Sequence, residues 1–86
     1  MSDPLEDVLL SRARVRVLKI VFSKGEANIS QVVRETGLNH KLVSKHLKHL
    51  VDAGLVEEVR IGRLRLFRPN WLNPKARIVE ELINIL

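Results

Sequence analysis

Hydrophobic residues recur at helical spacing in the first third of the chain. Val15, Leu18 and Phe22 fall on one face of a helix, which Ser11 is placed to cap and Gly25 to end. A helix is therefore predicted from about residue 12 to residue 23.

Two more helices are predicted in quick succession. Asn28 and Gln31 have the spacing of a capping box, and Gly37 stops the helix that they begin. Asn39 can cap the next helix, which Gly54 closes in a left-handed conformation. Two helices joined by a short turn that contains glycine form a helix-turn-helix.

An alternation of apolar and charged residues then predicts a β-hairpin whose two-residue turn, Gly62-Arg63, suits type II′. This turn pairs Ile61 with Leu64, Val59 with Leu66, Glu57 with Arg68, and Arg60 with Arg65. One face is thus apolar with a charge pair at its end, and the other carries two opposed arginines. Because opposed like charges repel, a bound anion is an attractive explanation for the arginine pair.

Helices are also predicted at both ends of the chain. Asp3 and Pro4 suit the start of a short helix that reaches about Leu10, and Asn73-Pro74 begins a final helix. The final helix carries six apolar residues, Ile78, Val79, Leu82, Ile83, Ile85 and Leu86.

Size and composition limit the function classes. With 86 residues and 9.9 kDa, the chain has room for one domain, and so small a core makes self-association plausible. The absence of cysteine excludes disulfides, thiolate zinc sites and cysteine nucleophiles. No apolar run approaches the roughly 20 residues of a membrane span, and the start is unlike a signal peptide, so a cytoplasmic protein is expected.

The positive charge is concentrated in the middle of the chain. The total is +5, and residues 38–68 contribute +4 of it, from seven basic and three acidic side chains. Such a cluster is typical of a surface that binds a polyanion. The alternative is an ordinary solvated, charged surface.

The third predicted helix has a basic free face. Lys41, Ser44, Lys45 and Lys48 lie at i, i+3, i+4 and i+7, opposite the apolar stripe. Lysine and serine on such a face suit phosphates and base edges of the DNA major groove. The full set of predicted DNA contacts is Asn39, His40, Lys41, Ser44, Lys45 and Lys48 on this helix, with Arg60, Arg63 and Arg65 on the hairpin.

These segments resemble the winged helix-turn-helix transcriptional regulators, most closely archaeal ArsR-like ones. The resemblance rests on residues 29–38, 43–47, 50–56 and 62–68, and covers about residues 11–70. It implies an α+β winged helix-turn-helix fold that is mainly α. The predicted parts of this single domain are N-terminal helices (3–24), a helix-turn-helix (28–54), a wing (55–69) and a dimerisation helix (73–86).

The resemblance also implies a two-fold dimer, which the apolar terminal helix favours. The residues predicted at its interface are Leu5, Leu9, Ile20, Ile78, Val79, Leu82, Ile83, Ile85 and Leu86. A dimer would set two recognition helices about 34 Å apart, the spacing of successive major grooves. The alternative is that the terminal helix only packs back on its own domain.

Catalysis and metal sensing are not expected. The sequence shows no pairing of a nucleophile with a base, no glycine-rich phosphate loop and no paired carboxylates, so an enzyme is not predicted. His46 and His49 are one turn apart without a third ligand at a matching spacing, and the Cys-x-Cys motif of ArsR-type metal sensors is absent. No cofactor, metal or small-molecule effector is predicted, and the resemblance gives His46 a packing or hydrogen-bonding role.

The expected function is sequence-specific binding of double-stranded DNA by a homodimeric transcriptional regulator associated with the nucleoid. Two alternatives stay open: an architectural chromatin protein without sequence preference, and a winged-helix module that binds proteins of the transcription or replication machinery.

Overall fold

The computed structural model describes Val8 and residues 11–86. Its elements are α1 (Arg12–Lys24), α2 (Ile29–Thr36), α3 (His40–Asp52), β1 (Val56–Ile61), β2 (Leu64–Pro69) and α4 (Lys75–Ile85). The predicted helix at residues 3–10 and the predicted interface residues Leu5 and Leu9 lie outside the described residues.

The helices begin at the predicted caps. Ser11 Oγ accepts from the backbone N–H of Arg14 at 3.2 Å, which fixes the start of α1. At α2 the capping box is complete, since Gln31 N donates to Asn28 Oδ1 at 2.9 Å and Asn28 N donates to Gln31 Oε1 at 2.8 Å. Asn39 Oδ1 caps α3 by accepting from the backbone N–H of Leu42 at 2.8 Å.

One hydrophobic core joins all the elements. Each of the three central helices contributes a stripe of fully buried residues, and Phe67 fills the space beneath the hairpin with 1% of its surface exposed. The members from α1 to α4 are Val17, Leu18, Val21, Ile29, Val32, Val43, Leu47, Leu50, Val79 and Ile83. Burial on this scale in so short a chain leaves α3 held along its whole inner face.

The hairpin has the predicted register. Ile61 pairs with Leu64, and Arg60 pairs with Arg65. Gly62 has φ +62° whereas Arg63 does not have a positive φ, as a type II′ turn requires. The sequence did not indicate that Ala27 joins the sheet, exchanging backbone hydrogen bonds of 2.9 and 2.8 Å with Phe67.

The apolar face of the hairpin is not the face that the core covers. Val56 and Phe67 are buried, and they belong to the face that carries the opposed arginines. On the other face Ile61 and Leu64 remain 62% and 46% exposed. Ile61 and Leu64 are exposed because they lie at the tip of the hairpin. Ala27 and the core contact only its base, so the tip extends beyond the packed interior.

The terminal helix α4 packs back on the chain through Ala76, Val79 and Ile83. Val79 and Ile83 are 2% and 8% exposed, which corrects their predicted place in a dimer interface: they are already buried against their own chain. Its start is tied to the end of α3, because Asn73 Oδ1 accepts from Lys75 N at 3.0 Å and Asn73 Nδ2 donates to Gly54 O at 2.9 Å. Among the described residues, no helix has the length and hydrophobicity that crossing a membrane requires.

Candidate nucleic-acid interface

The two faces of α3 differ sharply in burial. Val43, Leu47 and Leu50 are fully buried, and His46 is 7% exposed on the same inner stripe. The outer face carries exposed Lys41, Lys45 and Lys48, exposed His40 at the helix start, and half-buried Ser44. The helix therefore presents a continuous basic strip to solvent, as its spacing predicts.

Helix α1 supports the helix-turn-helix from behind. Arg14 Nε donates to Nδ1 of the buried His46 at 3.4 Å, and Arg16 donates through Nη2 to the backbone carbonyl of Thr36. Thr36 in turn accepts from Leu38 N at 3.2 Å through its hydroxyl. These contacts fix the turn between α2 and α3 and make Arg14 and Arg16 supporting residues of the fold.

The lysines of α3 differ in their surroundings. Lys48 Nζ lies 2.9 Å from Asp52 Oδ2, one turn further along the helix. Within the described part of the chain, Lys41 and Lys45 have no carboxylate within ion-pair distance. Asn39 is engaged through its Oδ1 as the cap of α3, so its amide Nδ2 is the group that it can offer to a ligand.

The opposed arginines of the hairpin already hold an anion from their own chain. Glu58 Oε2 accepts from Nε of Arg60 at 3.0 Å and from Nε of Arg65 at 2.9 Å, and its Oε1 accepts from Nη2 of Arg65 at 3.1 Å. In the free chain the anion between the two arginines is therefore Glu58, and binding of an external anion there stays a prediction. Hydrogen bonds from Arg65 and then Arg60 lower the pKa of Glu58 to about 2.

A shallow groove of about 400 Å³ separates α3 from the hairpin. Its lining comes from both elements: Ser44, Lys48, Val51, Asp52, Glu58, Arg65 and Phe67. Arg65 also stacks on the ring of Phe67, with its guanidinium carbon 5.5 Å from the ring centroid. Arg63 stands apart at the exposed tip of the hairpin, and no described carboxylate pairs with it.

Two residues of this surface were missed by the sequence analysis, Glu58 and Asp52. The sequence contained a signal for both residues, the hairpin register for Glu58 and helical spacing for Asp52. The register puts Glu58 diagonally across from Arg65 and two positions before Arg60 on the same face, within reach of long side chains. Asp52 follows Lys48 by four residues on a helix.

The three histidines lie in different surroundings. His40 and His49 are exposed whereas His46 is buried, and nowhere in residues 11–86 do three His, Asp or Glu side chains gather around a common point. His46 has the packing and hydrogen-bonding role that the resemblance implied.

A helix-turn-helix whose second helix is basic, followed by a hairpin that lies against it, defines a winged helix-turn-helix domain. The chain belongs to the arsR family of bacterial regulatory proteins, whose family model matches residues 11–58, more than half of its length.

Solved structures show the same fold. The Xylella fastidiosa transcriptional repressor BigR superposes with a TM-score of 0.84 at 22% identity, over 95% of this chain and 79% of that one. A homodimeric winged helix-turn-helix DNA-binding domain from Mycobacterium bovis gives 0.78 at 23% identity, over 95% and 73% of the two chains. Reduced HlyU from Vibrio cholerae gives 0.79 at 18%, over 96% and 81%.

At these identities the structural likeness establishes the fold, and the family match establishes the regulator class. No curated protein matches the chain in sequence. The family consists of regulatory proteins and BigR is a transcriptional repressor, not an enzyme, in agreement with the prediction from the sequence.

Proposed function

We propose that the chain is a sequence-specific, double-stranded DNA-binding regulator of transcription that acts as a homodimer. The observation that carries this proposal is the exposed basic strip of α3, in which Lys41 and Lys45 have no carboxylate partner among the described residues and the opposite side of the helix is buried along its length. In this proposal α3 enters the major groove, with Asn39, His40 and Ser44 near base edges and the lysines on phosphates.

The wing supplies the second contact. Arg63 stands at its exposed tip, and a single arginine on a narrow hairpin fits the backbone or the minor groove beside the major-groove site. Arg60 and Arg65 lie behind it on the same hairpin, so they approach the DNA backbone when the tip is docked.

A second copy of the chain is the partner that α4 favours. Ile78, Leu82 and Ile85 recur at i, i+4 and i+7, which forms an outward apolar stripe beside the buried one. Ile78 and Ile85 are 51% and 79% exposed, and Leu86 and Val15 line an open groove of about 470 Å³ beside α1. Half-buried Ile20 on α1 stays in the proposed interface as predicted. The M. bovis neighbour is itself a homodimer.

The decisive experiment is selection of bound duplexes from a random DNA pool, followed by competition with unrelated DNA. A homodimeric regulator is expected to enrich a palindrome with half-sites one helical turn apart and to prefer it by at least ~10³-fold over bulk DNA. An architectural protein would bind all duplexes alike. A protein-binding module would show no salt-sensitive affinity for DNA.

Three finer features belong to the same proposal. No small-molecule effector is evident for the proposed regulator, and its expected place is with the nucleoid in the cytoplasm, where its DNA partner lies. The resemblance of the wing sequence to archaeal members of the family stays a prediction.

A further inference from the structure

The Glu58 carboxylate occupies the position between the two arginines of the wing. Its two oxygens accept three hydrogen bonds of 2.9 to 3.1 Å, one from Arg60 and two from Arg65. The bonds from Arg65 come from Nε and Nη2, the edge with which a guanidinium grips an oxyanion through two parallel bonds. That edge is therefore filled in the free chain.

Carboxylate and phosphate compete for the same donors of arginine. Both present two oxygens at a spacing that matches the planar guanidinium fork. Because its arginine hydrogen bonds lower the pKa of Glu58 to about 2, the side chain is ionised at neutral pH and holds a full negative charge at this place.

The arginines for which carboxylate and phosphate compete lie beside the recognition helix. Glu58 and Arg65 line the groove between the wing and α3, and Lys48 on the far side of that groove is paired with Asp52. The side chain of Glu58 is 22% exposed, whereas those of Arg60 and Arg65 are 70% and 43% exposed. The cations beside the groove are thus paired within the chain, whereas Lys41, Lys45 and Arg63 have no carboxylate partner among the described residues and can contact DNA.

We propose that Glu58 is an internal competitor for DNA phosphate at Arg60 and Arg65, and that it thereby limits binding to DNA of unrelated sequence. The proposal rests on the proposed function. An ion pair with this much solvent exposure is weak, so a phosphate held in register by a correctly docked recognition helix displaces it. A loosely bound duplex offers no phosphate at a fixed position, and the arginines then stay with Glu58.

The test compares Glu58→Gln with Glu57→Gln as its matched control. Glu57 is the neighbouring residue on the opposite face, where it pairs with Arg68, so both variants remove one negative charge from the same strand. Affinity for a duplex of unrelated sequence is measured by fluorescence anisotropy over a series of salt concentrations. Thermal melts verify that both variants fold.

Glu58→Gln is expected to bind the unrelated duplex about threefold to tenfold more tightly than Glu57→Gln at low salt. Its plot of log affinity against log salt should be steeper by about 1 to 2, which corresponds to one or two added phosphate contacts. In the double variant Glu58→Gln/Arg65→Ala the gain over Glu57→Gln should be smaller, because only Arg60 is then released.

Equal affinity and equal slope in the two single variants, or weaker binding by Glu58→Gln, would overturn the proposal. A gain that is undiminished in the double variant would overturn it too. These outcomes are distinct from failure of the proposed function, in which the unmodified chain itself shows no salt-sensitive affinity for any duplex.

Discussion

Nε of Arg14 donates a hydrogen bond of 3.4 Å to Nδ1 of His46, and this contact joins α1 to the buried side of the recognition helix. His46 can accept it only while Nδ1 carries no proton. Burial lowers the pKa of His46 below its ordinary value of 6.5, and the positive charges of Arg14, His49 and Lys45 lower it further. The seating of the recognition helix therefore depends on a neutral histidine.

Stability should fall as the pH is lowered through about 6.5. Since the pKa of His46 is lower in the folded chain than in the unfolded one, the unfolded chain binds the proton first, and the contribution of His46 is complete only above pH 6.5. Urea unfolding between pH 5 and pH 8 measures this slope. His46→Gln keeps an acceptor for Arg14 and should flatten the slope, whereas His49→Gln on the exposed face should leave it in place. The same slope in His46→Gln as in the unmodified chain would contradict the assignment.

The local features of the fold could be predicted from the sequence because they depend on near neighbours. Caps at Asn28 and Asn39 and the turn at Gly62 act over two to four residues, and the turn alone fixes the pairing of Arg60 with Arg65. Hence the order of the elements, the register and the basic face of α3 were all predictable.

The features that depend on distant packing were not predictable. Alternation indicates two faces of the hairpin but not which one the core covers, and the packing of Val56 and Phe67 into the core decides that. In α4, six apolar residues could not be divided into a buried and an exposed stripe until Val79 and Ile83 were placed in the core. The bridge from Glu58 to Arg60 and Arg65 is intermediate between predictable and unpredictable features. The predictable register of the hairpin already brings both arginines within reach of Glu58.

Lys45 and Lys48 should contribute unequally to DNA binding. Lys45 has no partner among the described residues, whereas Lys48 must leave Asp52 to reach a phosphate. Lys45→Ala should therefore weaken binding and lower the salt slope by about 0.9, the value for one phosphate contact, and Lys48→Ala should have a smaller effect. Anisotropy titrations over a range of salt concentrations measure both quantities. Lys24→Gln on α1 is the control, since it removes a positive charge that is paired with Glu35 and is not among the proposed DNA contacts. Unchanged affinity and slope in both alanine variants would count against α3 as the DNA-contacting helix.

Gly54 should tolerate alanine less well than Gly37. Both have a positive φ, +78° and +73°, so a Cβ at either place costs about 1 kcal/mol or more of the free energy of unfolding. At Gly37 the added atom meets nothing within 4 Å, but at Gly54 it would lie 3.2 Å from Asn73 Nδ2. Asn73 cannot move aside freely, because it bonds both Gly54 O and Lys75 N. Gly54→Ala should therefore lose roughly a further 1 kcal/mol by urea unfolding. Equal losses in the two variants would show that Asn73 does not hinder a Cβ at Gly54.

A charge on the exposed stripe of α4 should separate the proposed dimer into monomers. Ile85 is 79% exposed, so an aspartate there meets water in a monomer and costs little, but it would be desolvated between two copies of the chain. Ile85→Asp should thus shift sedimentation velocity from a dimer to a monomer and remove the dependence of thermal unfolding on protein concentration. Leu72→Asp is the matched control: Leu72 is 92% exposed in the loop before α4, outside the stripe, and its variant should associate as the unmodified chain does.

Because two recognition helices bind a palindrome only when they are joined, Ile85→Asp should also lose the preference for the selected site while keeping weak, salt-sensitive binding to unrelated DNA. A dimer that survives Ile85→Asp would assign the second copy to another face of the molecule.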